Sequence, residues 1–188
     1  MKDENINNLL NQALSLHHDG NLQKADEIYK LILNKDSNNF LANHLHGCIL
    51  SQHHSYKDAI IYLKKAVEID SSNYEANNNL GIAYKNIKDF KNSEIFFKQA
   101  IVINPNEYKA HFNYANLYID NGHYIEAIDQ LKNAISCNEN FPEADHRIGE
   151  VHQYIFQTNR DIANLEQSIE WFNKAIQKEV NYVDPYLM

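Results

Sequence analysis

Two cysteines, three prolines, five glycines and one tryptophan in 188 residues leave the chain short of everything that staples, breaks or sharply bends a backbone. Cys48 and Cys137 cannot build a disulfide framework, and a pair of reduced thiols fits a cytoplasmic setting. With so little proline and glycine there is no linker, so one continuous domain over 1–188 is expected. No stretch approaches about 18 consecutive apolar residues, so no segment reads as a membrane span. Met1-Lys2-Asp3-Glu4-Asn5 carries no apolar secretory core. Positive charge is scarce as well. Seventeen Lys and Arg against 25 Asp and Glu leave a formal charge of −8, which argues against a nucleic-acid binder and its basic face.

What is present is periodic. Small residues recur every 34 positions at Ala13, Gly47, Gly81, Ala115 and Gly149. A second series, offset by 12, runs Ala25, Ala59, Ser93 and Ala127, and a third runs Ala66, Ala100 and Ala134 with Ile32 at its head. Such a period marks a solenoid, whose units bury their apolar faces only against neighbours. The units fall at 6–39, 40–73, 74–107, 108–141 and a longer 142–182. Within the third, Leu80, Gly81 and Tyr84, then Phe90, Ser93, Phe97 and Ala100, follow helical spacing. Each unit therefore reads as two helices, with Gly20 and Gly122 at the turn in the first and fourth. Larger residues fill the space beside the small ones: Leu16, Leu50, Tyr84 and Tyr118, then Tyr29, Leu63, Phe97, Leu131 and Phe172. Leu22, Tyr56, Phe90, Tyr124 and Leu165 are expected to open the second helices.

The third unit, Asn77, Leu80, Gly81, Tyr84, Ser93, Phe97, Ala100 and Pro105, resembles the tetratricopeptide repeat pattern, a 34-residue helix-turn-helix. The fourth does the same with His111, Tyr114, Ala115, Tyr118, Ala127, Leu131 and Ala134. The tryptophan place never holds Trp, and Ser37, Ser71 and Glu139 stand where other units would carry the final proline. The resemblance implies an all-α, right-handed α-solenoid of about five repeats. In the fifth, Ser168, Phe172 and Ala175 come seven residues late, about two helical turns. The helices can lengthen around a turn near 157–161 with Asp161 as N-cap, as a tolerated insertion or as a dedicated contact surface. Residues 183–188 read as the start of a further first helix, with Asp184 as N-cap and Pro185 at the first helical position. No polar capping helix follows, so the chain reads equally as a whole or as part of a longer protein.

No GxSxG elbow, HExxH, phosphate-cradling glycine loop or CxxC occurs, and carboxylates such as Asp145 and Glu150 read as solvated helix faces. No catalytic residue and no cofactor are expected. Of ten histidines, His17, His18, His53, His54 and His123 fall near the turns. Metal ligands must converge within about 2.0–2.2 Å of one ion, whereas successive turns stand about 10 Å apart, so exposed turn histidines are expected and no metal. The 27 asparagines are attributed to A/T-rich codon usage.

A surface remains. The resemblance implies that first helices line a concave groove, whose deepest row here is Asn11, Leu45, Asn79, Asn113 and Arg147. The row is similar to the asparagine ladder of family members attached to protein O-GlcNAc glycosyltransferases. A carboxamide offers a donor and an acceptor to any peptide unit; codon bias accounts for the same asparagines equally well. Leu10, Leu14 and Leu41, with His44 and Cys48, form an apolar patch toward the N-terminus. Phe112, Asn116 and Tyr154 flank Arg147 toward the other end, with Lys109, His146 and Glu150. The leading expectation is a non-catalytic scaffold binding a peptide or helix of a partner protein in this groove. Alternatives are the substrate-selecting arm of a larger glycosyltransferase and a self-assembly module pairing through its array ends.

Overall fold

The protein is described by a computed structural model covering residues 2–181, with side chains for 6–179. The further helix expected at 183–188 lies outside the described residues. Ten helices and no strand occur among them. Contacts divide the chain into two compact units, Met1–Ile103 and Asn104–Met188.

The first unit holds three antiparallel hairpins: α1 (Lys2–His18) with α2 (Leu22–Lys35), α3 (Phe40–Gln52) with α4 (Tyr56–Ile69), and α5 (Tyr74–Asn86) with α6 (Phe90–Ile103). Each second helix packs on the next first helix, α2 on α3 and α4 on α5, and α3 also touches α5. The second unit holds α7 (Tyr108–Asp120) with α8 (Tyr124–Cys137) and α9 (Pro142–Asn159) with α10 (Ile162–Asn181), and α8 packs on α9.

The periodic small residues set how closely the helices of a hairpin approach. A Cβ added at Gly81 would lie 2.8 Å from the Phe97 ring, and one at Gly47 would lie 2.7 Å from Leu63 Cγ. At Gly149 it would lie 2.7 Å from the Phe172 ring. Tyr29, Leu63, Phe97 and Leu131 are wholly buried, as are the alanines at 25, 59, 66, 100, 127 and 134. Gly81→Ala should therefore cost a net of about 1 kcal/mol, because overpacking outweighs the helix propensity that alanine adds. Urea denaturation checks this, and unchanged stability would mean that Phe97 yields.

The turns inside the hairpins need a left-handed residue. Gly20 and Gly122 supply it at φ +75° and +77°, while His54, Lys88 and Arg160 adopt φ near +60° with a side chain. Between hairpins, Asp36 and Asp70 accept hydrogen bonds from the backbone N–H two residues on. Asn39 and Asn73 then cap α3 and α5, accepting from the amides of Ala42 and Ala76 at 3.0 and 2.9 Å. These asparagines are spaced by the repeat and have a capping role in it.

In the fifth hairpin, α9 runs five residues farther past Gly149 than α7 runs past Ala115. Helix α10 starts three residues farther ahead of Ser168 than α8 does ahead of Ala127, and the turn is one residue shorter. Asp161 accepts from Ala163 N–H at 3.1 Å. Leu165, expected to open this helix, instead lies one turn inside it, 37% exposed; Ile162 takes the first position because the helix gained length at that end.

Candidate functional site

In the first unit the polar centre of the first-helix face is Asn79 on α5. Its Nδ2 donates to His44 Nε2 at 3.0 Å and to Cys48 Sγ at 3.3 Å, both on α3. His44 is buried, and burial holds its imidazole below the ordinary histidine range, with Glu75 opposing in part. Burial also pushes the Cys48 thiol up to about 12; the Asn79 hydrogen bond lowers it and Glu75 raises it. Cys48 is thus an inert thiol at neutral pH. Beside these groups lies a hollow of about 380 Å³ lined by Cys48, Ser51, Gln52, Tyr56, Asn79, Ile82 and Asn86. The predicted apolar patch is divided. Leu14 and Leu41 are exposed, but Leu10 packs against the core shared by α1, α2 and α3, because its position on α1 turns it toward the next layer.

In the second unit the face is built around Arg147 on α9. Its Nε donates to Asn116 Oδ1 on α7 and its Nη1 to Glu150 Oε2, both at 2.8 Å. Asn113 is half-buried on α7. Phe112 is tied down: its ring meets Phe141 edge-on at 5.0 Å, and Phe141 meets Tyr108 in the same way at 4.8 Å. Tyr154 stacks on Tyr124 at 6.0 Å and is 37% exposed. The structure thus joins Asn79 with His44 and Cys48, and Arg147 with Asn116 and Glu150. Among the described residues no three His, Cys, Asp or Glu side chains gather as metal ligands do. No described helix is long and apolar enough to cross a membrane.

Models of the tetratricopeptide repeat match residues 41–73, 74–107 and 96–129. The chain is a tetratricopeptide repeat protein. Its fold is the all-α one of tetratricopeptide solenoids. It is similar to a crystal structure of MamA, at 25% identity over 90% of this chain and 95% of that one, with a TM-score of 0.77. MamA 41-end from Desulfovibrio magneticus RS-1 is 14% identical over 95% of this chain and 97% of its own, at 0.82. YrrB, a TPR protein with an unusual peptide-binding site, is 22% identical over 93% and 86%, at 0.71. No curated protein matches the sequence significantly.

Within these tetratricopeptide repeats, the family's tryptophan place carries a hydrogen-bonding role that sequence reading missed. Asn43 Nδ2 donates to the carbonyls of Ser37 and Asn39, and Asn77 does the same to Ser71 and Asn73. His111 Nε2 reaches Pro105 O at 3.0 Å. Each locks its first helix to the loop before it. The signal was the 34-residue spacing of Asn43, Asn77 and His111. In the fifth repeat the place holds Asp145, which corrects the solvated reading: it is 1% exposed, and Lys178 Nζ of α10 lies 2.5 Å from its Oδ2. A carboxylate cannot donate to a carbonyl, so Lys178 of α10 compensates it. Another polar pair replaces core residues on the layer between α2 and α3. His46, 2% exposed, bonds Asp26 through Nδ1 and packs edge-on to Tyr62, while Lys30 holds the other Asp26 oxygen at 2.7 Å.

Proposed function

We propose that this protein is a non-catalytic interaction scaffold whose first-helix faces hold an extended segment of a partner protein. The observation that carries the reading is that polar side chains on these faces are held in place by neighbours while keeping capacity for a ligand. Asn79 is anchored through its Nδ2, leaving its carboxamide oxygen for a donor. Arg147 is braced by Asn116 and Glu150 through Nε and Nη1, leaving Nη2 for a carbonyl. Such preorganisation lowers the entropy cost of gripping a flexible segment. Tyr154, Leu14 and Leu41 add exposed apolar area on first helices. The half-buried Phe112 and Leu10 act as their support. YrrB, which shares the fold and has a peptide-binding site, supports a peptide as the ligand class.

The test is selection of peptides from a random display library on the purified protein, followed by titration of the selected sequences. Asn79→Ala/Asn113→Ala/Arg147→Ala should weaken binding by at least about tenfold, since arginine hot spots alone reach this size. Its helical content by circular dichroism should stay unchanged. Undiminished affinity in the folded triple variant overturns the first-helix assignment.

A further inference from the structure

We propose that His44 sets the polarity of Asn79, so that the hollow between α3 and α5 takes an uncharged amide of the partner by accepting its N–H, and loses it once His44 is protonated. The inference rests on the scaffold reading and says which chemistry this part of it selects.

The geometry runs through hydrogens. Asn79 Nδ2 carries two, and both are engaged inside the protein, one on His44 Nε2 at 3.0 Å and one on Cys48 Sγ at 3.3 Å. The first bond requires a lone pair on Nε2, so His44 is the neutral tautomer with its proton on Nδ1. With both Nδ2 hydrogens directed inward, the carboxamide plane is fixed and its Oδ1 is left as the acceptor. Asn79 is itself half-buried and lines the hollow of about 380 Å³. None of the seven lining residues carries a charge at neutral pH. An ammonium or guanidinium group entering there would lose water without meeting a carboxylate. A peptide N–H, or the amide of an Asn or Gln side chain, meets an acceptor at no such cost. Ile82 offers the adjoining apolar wall.

Protonation inverts the site. A charged imidazole carries hydrogens on both nitrogens, so Nε2–H would face Nδ2–H, donor against donor. Asn79 must then turn its Oδ1 toward His44 and its Nδ2 toward the hollow, and an incoming N–H finds a donor in place of an acceptor. The titratable groups facing His44 are Glu75 from α5 and Cys48 from its own helix, with the Phe40 ring at 5.7 Å. Burial outweighs Glu75, so the inversion belongs to pH values below the ordinary histidine range.

The experiment uses NMR on the intact protein with N-methylacetamide as a peptide-unit probe and N,N-dimethylacetamide, which lacks an N–H, as its control. At neutral pH the His44 ring should show an unprotonated Nε2. N-methylacetamide should shift the Asn79 side-chain amide and the Ile82 methyl signals, whereas the dimethyl compound should leave them in place. On acidification the response should vanish as His44 protonates. His44→Gln, which offers an acceptor at every pH, should respond equally in neutral and acidic solution. A protonated Nε2 at neutral pH, equal responses to both amides, or a pH dependence that survives in His44→Gln would each overturn the proposal. If peptides from the library still bind while these results fail, only the polarity assignment falls. If no peptide binds at all, the scaffold reading falls whatever His44 does.

Discussion

Lys178→Ala should cost about 3–5 kcal/mol, because it strands a carboxylate that has no access to water. Asp145 is 1% exposed on α9, and Lys178 on α10 supplies its counter-charge at 2.5 Å. Stability in a repeat array is a sum of repeat and interface terms, so the loss is read best where it arises. Amide hydrogen exchange should accelerate in α9 and α10 while α1–α6 keep their protection. The repeats also contain the remedy. Asn43 and Asn77 occupy the same place and clamp the loop before their helices by donating to two carbonyls. Asp145→Asn removes the charge and restores that donor, so Asp145→Asn/Lys178→Ala should recover most of the lost protection. A Lys178→Ala variant with exchange rates like the wild type would show that the carboxylate finds water or another partner.

The second large effect has the opposite sign. Replacing both members of the buried His46–Asp26 pair with the residues found one repeat later, His46→Leu with Asp26→Ile, should leave stability unchanged or raise it by about 1–4 kcal/mol. The neighbouring layer shows that the apolar version packs. Leu80 is wholly buried, and Ile60 is packed against the same core cluster. Asp26→Ile alone should destabilise, since His46 would stay buried without its carboxylate and Lys30 would lose the oxygen it holds at 2.7 Å. Urea denaturation of wild type, both single variants and the double gives the coupling energy directly. A double variant as unstable as Asp26→Ile would mean that the polar pair is needed to seat α2 on α3.

Much of the scaffold was legible because a repeat encodes itself locally. A helix turn that must pass within van der Waals reach of Leu63 or Phe97 needs glycine, and Gly47 and Gly81 announce that need at a fixed spacing. The turns after α1 and α7 were equally visible, since Gly20 and Gly122 supply a positive φ at little steric cost. The turns after α3, α5 and α9 use His54, Lys88 and Arg160, which carry no such mark in the sequence. Leu165 misled because α10 grew by almost a turn at its start, and helical periodicity is blind to where a helix begins.

The candidate site was legible in position but not in chemistry. Periodicity placed Asn79 and Arg147 on first helices. It could not say that Asn79 would hand its hydrogens to His44, 35 residues earlier, or that Arg147 would lean on Asn116, 31 residues away. Nor could it separate Leu10, packed on the core, from Leu14 and Leu41 beside it. Asp145 looked like any exposed carboxylate, because nothing on its own helix shows that α10 places Lys178 against it. The sequence alone determined the helices, their pairing in hairpins and the places where two must nearly touch, because those depend on spacing within about one repeat. Only the tertiary structure decided which polar groups are buried, paired or left open to a ligand, because those depend on what the neighbouring repeat places opposite them.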